Sequence, residues 1–494
     1  MSWTERRESG VTPGLGPGLG SRLISPRWQE RFVLFSEHLG KRRFERSVLF
    51  LALAAPLFYG LVDARPIFIW LVCFCICIIA GRHKGLKRKH LLQLLPVLLP
   101  IAVYLLVALF QLLPASYGQA AAGWESLQRL LGVSDLSPLT PDPAKTMAAL
   151  GPALLYIACF SCGMLMAIRR GALGYAIKVL AIYFPLYAVF VIAWNSVYPN
   201  YVMFEMKQTH LDSLTGTFFN RNTAAAFLSV GVFVWIGKCA DCVREQHRRR
   251  RLWWQEFRSL RPVLWRLAIL ALILTALFLT RSRAGIYLTF IVANLVIGIK
   301  VIAWRKRIRS DQASVWMRSA LAGLTSVFVL LLLFFEFGSL GLESRLRSSG
   351  LEDRGRSVVY QGSFLLVGQR PWIGNGIGAF EANFPAVRSV YGGTIGIWDR
   401  AHSSILELAV DAGVPFAVLT ALCWVYVCYR LLTKALASEG DAALLTTGAV
   451  VLQAGIHSLI DYPLQIPGFA ILVCILTGGA LVRSGRVAIG RSSR

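Results

Sequence analysis

The sequence predicts an all-α polytopic membrane protein with about twelve transmembrane helices. Of its 494 residues, 55% are hydrophobic and only 16% are charged, and the mean hydropathy is +0.57. Soluble domains carry about 25% charged residues, and a soluble core could not bury this much apolar surface, whereas a bilayer can. The apolar residues also fall into separate blocks that are bounded by polar or basic residues.

Twelve such blocks mark the predicted spans, with boundaries defined to about three residues. Several blocks are shorter than the roughly 20 residues that a span needs, so we expect polar flanks to extend the helices. In chain order they are Ser47–Val62, Pro66–Ala80, Leu91–Leu113, Thr146–Ile168, Ala172–Trp194, Thr223–Gly237, Leu267–Thr280, Gly285–Ala303, Ala320–Phe337, Ile405–Tyr429, Ala442–Ile460 and Ile466–Val482.

The distribution of Lys and Arg predicts the orientation of these spans. With the N-terminus in the cytoplasm, cytoplasmic segments hold 37 of the 52 Lys and Arg residues and external segments hold 14. Cytoplasmic connections are the basic ones in membrane proteins, so both termini are predicted to be cytoplasmic. Lys178 lies within the fifth span, where it either pairs with a carboxylate or extends to the lipid surface.

The net charge of +26 does not indicate a nucleic-acid partner. The basic residues lie in short runs between apolar blocks, whereas proteins that bind single strands place them in one stripe with interleaved aromatics. The ten Cys lie in apolar blocks or beside basic loops, which argues against a disulfide framework.

Three segments are predicted from this pattern. Residues 1–46 form a disordered basic cytoplasmic tail, residues 47–482 form the membrane domain, and residues 483–494 form a second cytoplasmic tail. Residues 338–404 form a large external loop between spans nine and ten, and this loop holds 7 of the 14 external Lys and Arg residues. Positive charge on the disfavoured side of the membrane indicates an anionic ligand.

The external segments carry arginines and one histidine rather than a metal-binding motif. They contain no HExxH, no GxSxG and no Asp-x-Asp pair, so we predict neither a metal nor a cofactor. Guanidinium groups bind phosphate in a bidentate manner, and a neutral His can accept a proton from a hydroxyl. This combination suggests glycosyl transfer from a lipid pyrophosphate to a sugar hydroxyl. The candidate residues are Arg221, Arg281, Arg283, Arg354, Arg356, His402 and Glu407.

Structural roles compete with these assignments. Arg281 could simply extend from a helix end to the membrane surface, and a lone His at the end of a loop is usually structural. Glu407 and Asp411 are four residues apart and share one helix face, where they would orient the loop by hydrogen bonding rather than act as a catalytic pair.

Four stretches of the sequence resemble the O-antigen ligase and polymerase superfamily of bacterial inner membranes. Gly216–Asn222 is similar to its G-T-F-x-N-R-N turn, and Ser282–Gly285 is similar to its S-R-[AG]-G turn. Arg356 to His402 resembles its R…P-x-x-G-x-G-x-G-x-F…H loop, and His457–Pro467 its H-S-x-x-D-x-x-x-x-x-P segment. One departure is Ser403, where family members usually have Asn.

The resemblance implies a GT-C-like helical bundle in the bacterial inner membrane, with a polyprenyl-diphosphate-linked glycan as donor and no metal. It also implies that Arg283 and Arg356 bind the pyrophosphate and that His402 is the base. Arg221, Arg281, Arg354 and Glu407 are then candidates for substrate binding.

The acceptor decides between two enzymes. In an O-antigen ligase it is a lipid A core sugar, and in a repeat-unit polymerase it is the end of another lipid-linked glycan. A twelve-span transporter or lipid-sugar flippase is the third possibility, although the candidate residues cluster at one face rather than at mid-membrane and the two halves show no repeat.

Overall fold

The computed structural model describes residues 42–81, 95–114, 138–249, 257–305, 342–388, 398–438 and 440–492. These residues form fourteen α-helices, several short 3-10 turns and one small β-hairpin. The helices are α1 (Arg43–Ala54), α2 (Ala64–Gly81), α3 (Leu95–Gln111), α4 (Pro143–Ile168), α5 (Ala172–Val197), α6 (Arg221–Arg249), α7 (Phe257–Leu279), α8 (Arg283–Arg305), α9 (Leu342–Gln369), α10 (Phe380–Asn383), α11 (Ser404–Ala412), α12 (Val414–Ala437), α13 (Ala442–His457) and α14 (Pro467–Ser492).

The protein is an all-α polytopic membrane protein. Within the described ranges, eight helices are long and apolar enough to cross a bilayer: α2, α4, α5, α6, α7, α8, α12 and α14. Two shorter apolar helices, Val97–Gln111 and Ala442–His457, correspond to the third and eleventh predicted spans. The ninth predicted span, Ala320–Phe337, lies outside the described residues.

The first predicted span has a different form in the structure. Only Arg43–Ala54 of this region is α-helical, and two 3-10 turns, Ala55–Leu57 and Tyr59–Leu61, complete it. Residues 1–41 of the predicted tail lie outside the described residues. At the other terminus α14 continues to Ser492, so most of the predicted C-terminal tail is helical.

The tenth predicted span, Ile405–Tyr429, was wrong as a single helix. The helix is interrupted at Gly413, which has a φ of 91° and separates α11 from α12. A Cβ on Gly413 would lie 2.4 Å from the carbonyl oxygen of Trp372, so a loop docks where the helix stops. Hydropathy could not reveal this break, because the residues on both sides are apolar.

The predicted external loop is also largely helical. Residues 342–369 of this segment form α9, which has 28 residues, and the loop returns to the bundle through α10.

Helices α6 and α14 form the centre of the bundle. In their most apolar stretches 78% and 89% of residues are buried, compared with 22% in α7 and 28% in α2 and α12. Glycines allow α14 to approach α4 closely, since a Cβ on Gly478 would lie 2.3 Å from the carbonyl oxygen of Phe160. Close backbone contact through small residues is a common way to pack membrane helices.

Candidate active site

The candidate site is centred on Asp461, which lies in the turn between α13 and α14. Its side chain is 1% exposed. The backbone N–H of Asp461 donates to the carbonyl of His457 at 2.9 Å, and the N–H of Tyr462 donates to Oδ1 of Asp461 at 2.8 Å. A buried carboxylate is stable only when other groups satisfy its oxygens, so the surrounding donors define this site.

The N-terminus of α6 supplies two of these donors. Nδ2 of Asn220 donates to Oδ1 of Asp461 at 3.5 Å, and Nδ2 of Asn222 donates to Oδ2 of the same carboxylate. Oδ1 of Asn222 accepts a 2.6 Å hydrogen bond from Oγ of Ser282. Through these bonds Asp461 is connected to the turn between α7 and α8.

Arg356 and His402 approach the same carboxylate from the segment that was predicted to be external. Nη2 of Arg356 lies 3.7 Å from Oδ2 of Asp461, and Nδ1 of His402 lies 3.9 Å from Oδ1. These distances allow electrostatic attraction but exceed those of a good hydrogen bond. The two side chains are 29% and 24% exposed, so both remain accessible beside a buried negative charge.

Aromatic rings enclose the imidazole of His402. The ring of Tyr462 lies 5.1 Å from it and the ring of Trp398 lies 5.4 Å from it, both in an edge-to-face arrangement. Such contacts restrict the rotation of the imidazole.

The backbone of His402 is held in an unusual conformation. Its φ is +50°, in the left-handed region that residues other than glycine rarely adopt. The hydroxyl of Tyr360 donates to the carbonyl of His402 at 3.0 Å, and the N–H of Ala401 donates to Oε2 of Glu407 at 2.9 Å. On the other side, the N–H of Ser404 donates to the carbonyl of Ser458 at 2.8 Å. Strain that surrounding contacts maintain in this way is typical of functional sites.

Ser403 has a structural role here. Its Oγ accepts a hydrogen bond from the N–H of Leu406 at 3.4 Å and thereby caps the N-terminus of α11. Both Ser and Asn are favourable capping residues. The departure from the family pattern therefore preserves the helix start that follows His402.

A family model described as "O-Antigen ligase" matches residues 268–421 of the chain. Over this segment, which is less than half of the chain, the protein is similar to the O-antigen ligase family. No curated protein matches the chain. The matched segment contains Arg283, Arg356 and His402 but ends before Asp461. It also begins after Asn222, so the structure adds two segments to the ligase-family region at this site.

Glu407 lies five residues after His402, in the first turn of α11. It is 4% exposed, and Nη1 of Arg400 donates to its Oε1 at 3.2 Å. The same nitrogen of Arg400 donates to Oε1 of Gln465 at 2.9 Å. Burial raises the pKa of Glu407, although the positive charge of Arg400 opposes this. Burial lowers the pKa of Arg400, but Glu407 and neighbouring carboxylates outweigh this, and the net shift is upward.

The glycine-rich stretch of the ligase-family loop packs against α11. The N–H of Gly378 donates to Oδ2 of Asp411 at 2.9 Å. A Cβ on Gly374 would lie 2.3 Å from the backbone of Asp411, and Gly374 has a φ of +74°. Gln111 completes this contact, because its Nε2 donates to the carbonyls of Ile373 and Asp411. These glycines allow close backbone contact that fixes the loop on the bundle.

The remaining predicted residues occupy different positions around this centre. Arg283 is exposed at the first position of α8, next to Ser282, and Arg221 is half-buried between Asn220 and Asn222. Arg281 pairs with Asp212 at 2.9 Å on the surface. Arg354 lies in α9, and its side chain is outside the described part of the chain.

The sequence analysis did not select Asp461, the central residue of the site. Asp461 was part of the quoted H-S-x-x-D segment but was not among the candidate residues, and neither were the two Asn side chains that bind it. Their signal was available, since all lie in the stretches that carry the family resemblance. Tyr360 and Arg400 had no such signal. Within the described ranges no group of three His, Cys, Asp or Glu could hold a metal ion.

Proposed function

We propose that this protein is an O-antigen ligase, a metal-independent glycosyltransferase of the bacterial inner membrane. It moves a glycan from a polyprenyl diphosphate carrier to a hydroxyl of the lipid A core on the periplasmic face. One observation carries the proposal: four stretches far apart in sequence, each similar to the ligase family, converge on the carboxylate of Asp461.

The arrangement suits nucleophilic displacement at the anomeric carbon of the donor sugar. The acceptor oxygen forms a bond to this carbon while the bond between the carbon and the diphosphate oxygen breaks. The acceptor proton passes to the imidazole of His402, and the negative charge of Asp461 at 3.9 Å stabilises the resulting imidazolium.

The negative charge on the departing polyprenyl diphosphate requires positive partners. Arg356 is partly exposed beside His402, and Arg283 is exposed next to Ser282, which is connected to Asp461 through Asn222. Guanidinium groups can neutralise a developing phosphate charge without a metal. Arg221 and Arg354 are further candidates for binding the glycan or the diphosphate.

The same convergence supports the proposed orientation. The site residues lie at the first turns of α6 and α8 and just beyond the last turn of α13. Two ion pairs, Lys300 with Asp241 and Arg483 with Asp441, lie toward the opposite ends of these helices. With the site facing the periplasm, the basic ends and both termini face the cytoplasm, as the excess of Lys and Arg on that side favours.

A repeat-unit polymerase is the second candidate function. Its acceptor is another lipid-linked glycan, and its donor site would have the same charges. A transporter is less compatible with the structure, because Asp461 and Asn222 lie at the ends of spanning or apolar helices rather than at mid-span.

The gene deletion tests the proposal. Lipopolysaccharide from the deletion strain and from a complemented strain is separated on a gel. If the gene encodes a ligase, its deletion leaves uncapped core. If it encodes a polymerase, its deletion leaves core that carries a single repeat. Purified protein with lipid-linked glycan and core acceptor then shows whether transfer survives excess EDTA; restoration of lost activity by Mg²⁺ or Mn²⁺ would contradict the metal-independent mechanism.

A further inference from the structure

A short hairpin follows α5 on the side of the candidate site. Strands β1 (Tyr201–Val202) and β2 (Glu205–Met206) pair antiparallel, with Val202 opposite Glu205. The two-residue turn places Phe204 at the tip, where it is 80% exposed. Met203 has a φ of +52°, a position where two-residue hairpins usually have glycine. The exposed aromatic ring at the tip therefore follows a residue with a strained backbone conformation.

Buried polar contacts hold the base of the hairpin. Lys207 is 4% exposed, and its Nζ donates to Oδ1 of Asn195 at 3.3 Å and to the carbonyl of Ser213 at 3.0 Å. Val202 is fully buried beneath the strand pair. Burial lowers the pKa of Lys207, although the negative charge of Asp212 opposes this. A lysine buried in this way fixes the segment, so the exposed tip has a defined position.

The hairpin continues an apolar surface of the spanning helix α5. The exposed side chains of α5 include Ile182 and Leu186, each 66% exposed, and Val197 at its end is also 66% exposed. Above them lie Phe204 and Met206, which is 65% exposed. Exposed apolar side chains are thus present both on the membrane span and on the hairpin, although the exposed Asn200 and Glu205 lie among them.

Aromatic rings mark the junction between helix and hairpin. The ring of Trp194 lies 4.9 Å from that of Tyr198 and 6.5 Å from that of Phe204, and Tyr198 lies 6.5 Å from Tyr201. Trp and Tyr concentrate where a membrane protein passes from hydrocarbon to headgroups. An aromatic cluster at the end of a span therefore favours contact with lipid over contact with a protein partner.

We propose that the exposed apolar side chains of the hairpin, Phe204 at its tip and Met206 in β2, insert into the headgroup–acyl boundary of the leaflet on the site's side. The segment that follows the hairpin contacts the α7–α8 turn through the Asp212–Arg281 ion pair and through a 2.9 Å hydrogen bond from the N–H of Leu214 to the carbonyl of Leu279. Insertion of the hairpin sets the depth of the turn that carries Arg283. If the proposed function holds, this is the depth of the donor's phosphates.

Photocrosslinking of the full-length protein in liposomes tests the insertion directly. Benzoylphenylalanine replaces Phe204 in one variant, Leu186 of the exposed apolar surface of α5 in a second, and Glu381 of the short helix α10 in a third. We expect phospholipid adducts at position 204 in a yield similar to that at position 186. We expect no phospholipid adduct at position 381. Absence of a lipid adduct at 204 when 186 gives one would overturn the proposal, and so would an adduct to protein alone.

A second measurement connects insertion to activity. With benzoylphenylalanine at position 206, Phe204→Glu should reduce both the lipid adduct and the rate of transfer in liposomes, whereas Phe204→Trp should preserve both. The crosslink does not depend on catalysis, so an inactive protein that still crosslinks contradicts the proposed function and leaves the insertion intact.

Discussion

The carboxylate of Asp461 lies 3.9 Å from Nδ1 of His402 and is itself almost completely buried. This relationship joins the turn between α13 and α14 to the end of the large external segment. In the proposed mechanism, this buried carboxylate would stabilise the imidazolium that forms when His402 accepts the acceptor proton. The pair therefore suggests which variants should affect turnover and which should affect donor binding.

The first prediction concerns His402. His402→Ala should lower turnover by about 10²- to 10⁴-fold, the usual contribution of a general base, while donor binding stays close to wild type. Single-turnover transfer at saturating donor and equilibrium binding of a polyprenyl-diphosphate glycan separate these effects. Loss of donor binding with little change in turnover would show that His402 contacts the donor instead.

The second prediction concerns the arginines. Arg283→Ala and Arg356→Ala should weaken donor binding and slow transfer, because each removes a charge-assisted contact to phosphate. Lys should rescue only partly, because an ammonium retains the charge but not the planar fork.

Two other arginines provide the comparison. Arg281→Ala should have a smaller effect on donor binding, since Asp212 already pairs with this side chain. Arg430→Ala is the matched control, because its partner is Tyr426 in α12. If donor binding survives in both the Arg283 and Arg356 variants, the phosphate site lies elsewhere, and Arg221 and Arg354 are the next variants to measure.

The third prediction concerns Asp461. Asp461→Asn retains the shape of the side chain but removes the charge near Arg356 and His402. The attraction between opposite charges about 4 Å apart is worth on the order of 1–4 kcal/mol, so turnover should fall by roughly 10- to 100-fold. Thermal unfolding should show a folded protein. Asp241→Asn, which removes an exposed partner of Lys300, should transfer at the wild-type rate, and equal losses in both variants would contradict a specific role for Asp461.

The fourth prediction concerns orientation. A reporter fused after Gly350 should be periplasmic, and one fused after Arg249, at the end of α6, should be cytoplasmic. A cytoplasmic signal from the Gly350 fusion would place His402 and Arg356 on the wrong side for a lipid-linked donor exported from the cytoplasm.

The sequence predicted the helical membrane class because hydropathy depends on composition alone. The predicted tenth span was wrong at Gly413, because the residues on both sides of the helix break are apolar. The break lies where the backbone of Trp372 approaches Gly413 closely. The sequence also presented residues 338–404 as a loop, although α9 occupies most of the first half. Helices of this segment are polar, and polar helices carry no hydropathy signal.

The candidate site was predicted in part for a related reason. Charged groups such as Arg356 and His402 are conspicuous in external segments, so they could be selected from sequence. The contact of Asn222 with Asp461 joins residues 239 positions apart, and no local pattern encodes such a pair. Tyr360 lies on a helix that the sequence presented as loop, and its bond to the carbonyl of His402 depends on the fold.

The last prediction concerns the groups that position His402. The hydroxyl of Tyr360 donates to the carbonyl of this strained residue, and the buried carboxylate of Glu407 accepts from the N–H of Ala401 before it. Tyr360→Phe removes one hydrogen bond and leaves the ring in place. Such a bond is worth about 0.5–1.5 kcal/mol, so turnover should fall by roughly 2- to 10-fold with donor binding unchanged.

A double variant distinguishes positioning from general destabilisation. In the His402→Ala background, Tyr360→Phe should cause no further loss, because it acts only through the imidazole that is already missing. Glu407→Gln should likewise cause no further loss of turnover in the His402→Ala background. In the wild-type background it should lower turnover more than Tyr360→Phe does, because the charge of Arg400 is left uncompensated. Tyr426→Phe, at the hydroxyl that accepts from Arg430, is the control and should be neutral. An additive loss in the double variant would mean that Tyr360 contributes to transfer independently of His402.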